Sequence, residues 1–224
     1  MIIDFHSHIL PKVDHGSDSA KTTELQLKYA STAHVDTIVA TSHFYPHRHS
    51  VSQFLERRAI AEEMLSDTNK YGIKIIFGAE ILLCENIHKL PMLDELAING
   101  TKTLLIELPF SSIDHKHTSA VESLIDNGYN VILAHPERYN ADKIEEMISL
   151  GAHLQLNASS VSKTFASKHV NDWVSRGLVH GIGSDIHMND KKAYKQFSKA
   201  LAKLKNNSDY IMKKAESICF KQLS

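Results

Sequence analysis

The chain has 224 residues, 42% of them hydrophobic and 23% charged, with 25 basic against 26 acidic side chains and a net charge of −1. That is the make-up of one soluble globular domain with room for a core, so residues 1–224 are read as a single domain. The even charge excludes a nucleic-acid footprint, and no apolar run approaches the ~18 residues of a membrane-spanning helix.

In chain order, the first apolar run, Ile2–His6, predicts a strand. Its surroundings, MIIDFHSHIL, lack the basic n-region of a signal peptide, so a cytoplasmic location is expected. Ser17 or Asp18 then caps a helix running to about His34. A second strand is expected at Thr37–Thr41. Residues 52–71 follow as a helix, with Phe54, Leu55, Ala59, Ile60, Met64 and Leu65 at helical spacing and Gly72 as its stop. Further strands are expected at Lys74–Gly78, Thr103–Glu107, Asn130–Ala134, His153–Asn157 and Val179–Gly183. Helices are expected near 116–126, 141–150, 167–176, 190–204 and 209–223. Short, continuously apolar strands alternating with helices predict an α/β fold with a parallel sheet.

Fifteen histidines are present, more than Phe or Tyr, and with the acids they gather at the carboxyl ends of the predicted strands. The clusters read IIDFHSH, IVATSH, IIFGAE, LLIELP, VILAHPER, LQLN and GIGSDIH. Parallel αβ barrels build their active sites from the loops at that end. His6-x-His8 places two imidazoles on one side of the chain. Glu80 and Glu107 close apolar runs where a lone carboxylate is costly. Together His6, His8, His15, His43, His135 and His187 offer nitrogen, and Glu80, Glu107 and Asp185 offer oxygen. Nine donors are too many for one tetrahedral ion and suit a cluster of two or three. Such mixed donors fit Mn, Fe, Zn, Ni or Co. Clustered ions hydrolyse phosphate esters, and Arg138, three residues past His135, is suited to phosphoryl oxygens. His47, Arg48 and His49 fit either a loop that greets an anionic substrate or a solvated loop, and Asn157 either a ligand hydrogen bond or the close of a turn, so their roles stay open.

These motifs, HSHILPKVDHGS, ATSHFYP, GAEI, IELP, AHPERY, LQLNASS and GIGSDIH, resemble the polymerase and histidinol phosphatase (PHP) superfamily. Within it the chain looks most like the bacterial manganese-dependent tyrosine phosphatases of capsule and exopolysaccharide synthesis, of CpsB/CapC type. The resemblance implies a distorted seven-stranded (β/α)7 barrel with the metal site at the C-terminal strand ends. It implies three divalent ions, manganese before Fe, Zn, Ni or Co. His6, His8, Glu80 and Asp185 would hold the first ion, and Glu80, Glu107 and His135 the second. His43, His187 and one residue of the 14–15 loop would hold the third. Arg138 would stabilise the phosphoryl group, attacked by a metal-bound hydroxide. The implied substrate is the tyrosine-phosphorylated tail of a polysaccharide-synthesis kinase.

These phosphatases usually read DDG where Asp14-His15-Gly16 stands, so His15, not Asp14, is expected to be the direct ligand. Cysteine-based phosphatases are excluded: the arginine six residues past the nucleophile is replaced by Leu90 after Cys84, and that position after Cys219 lies past Ser224. A different PHP phosphoesterase, acting on histidinol phosphate or a small phosphate ester, is the alternative. A non-catalytic module stabilised by metals is the third reading; the full donor set and Arg138 argue against it.

Overall fold

The computed structural model describes residues 1–110 and 112–220. Nine strands are present among them: β1 (Ile3–Ser7), β2 (Thr37–Ala40), β3 (His43–Phe44), β4 (Lys74–Phe77), β5 (Glu80–Leu82), β6 (Thr103–Glu107), β7 (Asn130–Ala134), β8 (His153–Asn157) and β9 (Val179–Gly183). Every pairing is parallel. The helices are α1 (Ala20–Thr32), α2 (Val51–Thr68), α3 (His115–Asp126), α4 (Ala141–Ser149), α5 (Ala158–Val161), α6 (Lys168–Ser175), α7 (Lys191–Leu204) and α8 (Asn206–Phe220). The expected end of the last helix, at Leu223, lies outside the described residues.

The seven expected strands are present, but they do not form one closed seven-stranded barrel. They divide into a three-stranded sheet, β1-β2-β4, and a six-stranded sheet, β3-β5-β6-β7-β8-β9. The cause is a break in two runs. Thr41–Ser42 separates β2 from β3, and Gly78–Ala79 separates β4 from β5. Backbone bonds bridge the breaks, from Thr41 N to Ser7 O, Gly78 N to Ala40 O and Glu80 N to Ser42 O, at 2.9–3.1 Å. At the other seam, β1 and β9 meet through packing. A Cβ added at Gly181 would fall 2.5 Å from the Phe5 ring, and one at Gly183 would fall 2.5 Å from His6 Cβ. Beyond the end of β9, backbone bonds cross to the first strand and its loop, from Asp185 N to His6 O and from His8 N to Ile186 O.

All five residues of β1, β6 and β9 are buried, polar ones included, whereas Lys74 at the start of β4 is exposed. Helix starts follow their caps. Ser19, rather than Ser17 or Asp18, caps α1; Ser17 Oγ instead bonds the Thr23 hydroxyl, and Asp18 accepts from the Ser19 and Thr22 hydroxyls. Ser50 and Gln53 form a capping box on α2. Asn140, Ser167 and Asp190 cap α4, α6 and α7. Beneath the strand ends, buried Asp4 accepts from Ser184 N, Ser184 Oγ and Tyr194 OH at 2.6–2.8 Å. Burial raises the Asp4 pKa despite these donors. This network pins the residue next to Asp185.

Candidate metal centre at the strand ends

Pairing register brings the donors together. His43 lies opposite Glu80 across β3 and β5, and Leu82 opposite Glu107 across β5 and β6. His6, next to last in β1, is the residue that the seam presses against Gly183. His135 and Asp185 follow β7 and β9 in left-handed backbone, at φ 34° and 51°. Non-glycine residues adopt that conformation at a cost of ~1–3 kcal/mol and cluster at functional sites. Glycine would relax both turns but carry no donor.

The deepest group is His6, His8, Glu80 and Asp185. His6 Nδ1 donates to Gln155 Oε1 at 2.7 Å, and His8 Nδ1 donates to Asp14 Oδ2 at 2.8 Å. Both acceptors are oxygens without a hydrogen to give, so each imidazole keeps a proton on Nδ1 and turns Nε2 inward, the atom that a metal ion would bind. Those two Nε2 atoms are 3.0 Å apart. Glu80 Oε2 lies 3.1 and 3.2 Å from them. Asp185 Oδ1 lies 3.4 Å from His8 Nε2 and 3.8 Å from His6 Nε2. Four lone-pair donors face one another in a space closed to water: His6, His8 and Glu80 are 0% exposed. No hydrogen bond closes on buried Glu80 Oε2, His43 Nδ1 or His187 Nε2 among the described residues. Against the cost of burial, the carboxylates hold the His6 and His8 pKa values up while the imidazoles hold those of Glu80 and Asp185 down, so the set is held by protons that a divalent cation would replace, and the residues present fit such ions.

Two neighbouring groups complete the cluster. His43 Nδ1 is 2.9 Å from Glu80 and 3.6 Å from Glu107, and His135 Nε2 is 2.8 and 3.8 Å from the same two carboxylates. His8, His43 and His187 form a further set whose donor atoms lie within 4.8 Å of one another. His15 stands over that set, its ring 4.9 Å from that of His43 and 4.6 Å from that of His187. Both Asp14 oxygens are engaged: Oδ2 by His8 Nδ1 and His43 N, Oδ1 by Gly16 N.

Electrostatics follow the crowding. Burial and the Glu80 carboxylate push the Glu107 pKa up to about 7. Burial, then the charge of His8, pulls His187 down to about 4; burial, then His43, also lowers His15. Both imidazoles are thereby kept neutral at pH 7, the form that binds metal.

Above the cluster, a cavity of ≈ 480 Å³ is lined by His15, His43, Tyr45, Phe110, Arg138 and Met188, among others. Arg138 Nη2 is 2.5 Å from Asp185 Oδ2, with its side chain 39% exposed at the mouth. Thus all nine expected donors and Arg138 converge on one place. His47 and Arg48 stay outside the donor groups; Arg48 lies over the Tyr45 ring at 4.9 Å, and His49 bonds Arg57.

Sequence reading missed Gln155 and left the role of Asn157 open. Buried Gln155 accepts from His6 Nδ1 and from His135 N, and its amide donates to Asn157 Oδ1 at 3.1 Å. Asn157 Nδ2 in turn donates to Asp185 Oδ2 at 2.7 Å. One hydrogen-bonded chain therefore runs from His6 to Asp185. The alternation of LQLN, which turns Gln155 and Asn157 to the same face of β8, was the available signal.

The chain is similar to known proteins along nearly its whole length. The family model for capsular polysaccharide synthesis, CpsB/CapC, matches residues 2–223. The tyrosine-protein phosphatase CpsB of Streptococcus pneumoniae is 29% identical over 211 residues, 85% of each chain. CapC of Staphylococcus aureus is 33% identical over 198 residues, 83% of this chain and 77% of the relative. The tyrosine-protein phosphatase YwqE of Bacillus subtilis is 30% identical over 203 residues, with the same two coverages. A crystal structure from a study of YwqE and CpsB, described there as metal-dependent tyrosine phosphatases, superposes with a TM-score of 0.84. It is 22% identical, covering 99% of this chain and 96% of the other.

Proposed function

The chain belongs to the CpsB/CapC family of capsular polysaccharide synthesis, and from that premise we propose that it is a metal-dependent phosphotyrosine-protein phosphatase. The observation that carries the reading is the inward meeting of His6 Nε2, His8 Nε2, Glu80 Oε2 and Asp185 Oδ1 beneath the guanidinium of Arg138.

Three divalent ions, with manganese first, suit the donors. His6, His8, Glu80 and Asp185 would hold one; Glu80, Glu107 and His135 a second; His43, His187 and His15 a third. Ions so held lower the pKa of water to near 7 and act as Lewis acids toward phosphoryl oxygens. The protein does the rest. Gln155 and Asp14 fix the His6 and His8 tautomers. Arg138 places a planar fork at the mouth, where it can contact two phosphoryl oxygens as charge builds on them. Tyr45 and Phe110 give an aromatic rim to a cavity wide enough for an aryl phosphate. Tyrosinate, with a reference pKa of about 10, leaves without a strong acid.

We read residues 1–224 as one domain and the two sheets as an interrupted seven-stranded barrel, supported by the bridging bonds at both breaks. No described helix is long and apolar enough to cross a membrane. The free thiols of Cys84 and Cys219 suit a cytoplasmic place, and a tyrosine-phosphorylated kinase tail is the substrate we propose.

The test is turnover of metal-loaded protein on a phosphotyrosine peptide, histidinol phosphate and sugar phosphates. Preference for the peptide is expected. Preference for histidinol phosphate or a sugar phosphate would move the chain to a different phosphoesterase reading.

A further inference from the structure

A second concave surface lies beside the site, between α5 and α7. It encloses ≈ 720 Å³ and is lined by Lys163, Lys192, Lys195 and Lys199, with Ser159 and Ser162 on its floor. On a chain of net charge −1, four cations around one cleft are a local imbalance. Lysine ion pairs among the described residues are those of Lys70, Lys102, Lys116 and Lys143, all elsewhere. The four cleft lysines are exposed and have no carboxylate partner within 4.0 Å among the described residues. Lysines 192, 195 and 199 fall at i, i+3 and i+7, on one stripe of α7. The opposite wall is held in place, because Lys203 Nζ donates to the carbonyls of Val161 and Lys163 at 3.1 and 2.5 Å. The cleft is therefore preformed rather than a chance meeting of mobile side chains.

Its position connects it to the metal cluster. Ser159 stands two residues past Asn157, whose amide holds Asp185. Lys192 stands five residues past His187. Both walls thus begin at the rim where the phosphoryl group would sit. From Lys192 to Lys199 the helix advances about 10 Å, a distance an extended peptide covers in about three residues.

We propose that this lysine cleft docks an Asp/Glu-rich segment of the same polypeptide that presents the phosphotyrosine. The inference rests on the phosphatase reading above and adds a specificity surface to it. Exposed lysines contribute mainly through screened Coulomb attraction, so the effect falls on KM, and it falls with salt.

The test uses metal-loaded protein and three peptides of equal length: one phosphotyrosine with acids on its amino side, one with acids on its carboxyl side, and one with the matching amides. One acidic peptide is expected to show a KM about tenfold below the amide peptide at low ionic strength, with the gap closing near about 0.5 M salt. In the variant K192E/K195E/K199E the gap should vanish while turnover of the amide peptide is kept; K192Q/K195Q/K199Q repeats the test with less perturbation of α7. Equal KM values for all three peptides, with the amide peptide still hydrolysed, would overturn the docking proposal alone. No hydrolysis of any peptide would remove the phosphatase reading beneath it. Retention on anionic phospholipid vesicles, lost in the variants and unaccompanied by any peptide preference, would assign the cleft to a lipid surface and overturn the proposal.

Discussion

Arg138 stands three residues past His135, yet its guanidinium pairs with Asp185, 47 residues further on. At 39% side-chain exposure that ion pair is screened, so it adds little to folding stability. Its value is in placement. Arg138→Ala should lower turnover of a phosphotyrosine peptide by roughly 10²–10³, the cost of removing one preorganised donor. Metal content and melting temperature should stay near those of the parent. Arg138→Lys should recover part of the loss, since a point charge cannot span two oxygens. Turnover near the parent's in Arg138→Ala, or metal lost with the arginine, would give the residue a different job. Gln155 acts through others. Gln155→Leu keeps the approximate volume but leaves His6 Nδ1 and His135 N without their acceptor. Loss of such an outer partner costs ~10–100-fold in metal affinity. Titration of the ion-free variant with Mn2+, followed by calorimetry, should show that weakening before any assay of activity; unchanged affinity would make Gln155 a packing residue. The convergence of the candidate donors was legible because His and acid at successive strand ends differ so sharply from loop composition. Gln155 was not, because a single amide inside LQLN looks like any strand residue until His6, 149 residues away, is folded against it.

At the scale of elements, the seven long strands and most helices follow from pattern and caps. The two strands that sequence did not show, His43–Phe44 and Glu80–Leu82, are two and three residues long. Each is the far side of a break in a run that reads as continuous. α5, at four residues, is likewise too short to leave a helical period. The seam between β1 and β9 depends on what is missing from two residues. Gly181 and Gly183 let β9 lie against Phe5 and His6 without a Cβ between them. Gly181→Ala meets the Phe5 ring at 2.5 Å and should destabilise by about 1–3 kcal/mol through overpacking. Gly183→Ala meets His6 Cβ at 2.5 Å and Gln155 Nε2 at 2.7 Å. It should cost about as much in stability and, in addition, weaken metal binding by moving His6. Denaturant unfolding of the ion-free proteins beside metal titrations separates the two. Equal metal affinities in the two variants would show that the seam does not set the site's geometry.

Over the whole molecule, the cluster sits where the two sheets and the open seam come together. His6 and His8 belong to the first strand and its loop, His43 to β3, Glu80 to β5, Glu107 to β6, and His135, Asp185 and His187 to the turns after β7 and β9. Ions held by these donors would cross-link the three-stranded sheet, the six-stranded sheet and both sides of the β1–β9 seam. Without a cation the same buried groups compete for protons, and burial and the Glu80 carboxylate push the Glu107 pKa up to about 7. Chelation should therefore destabilise the fold as a whole and not only stop turnover. At free metal ~1,000 times the dissociation constant, linkage gives about 4 kcal/mol of stabilisation from one site. For a chain of this length each kcal/mol moves the melting temperature by about 2–4 °C. The metal-loaded protein should melt about 8–16 °C above the chelated one, with the gap growing as free metal is raised. Amide exchange should quicken most on removal of metal in β1 and β9, where few ladder bonds take over the load. Arg138→Ala should keep the full thermal shift while remaining inactive, which separates holding the ions from using them. A melting temperature indifferent to chelation would mean that the strand ends are held by protein contacts alone, and that the donors do not form the cross-link described.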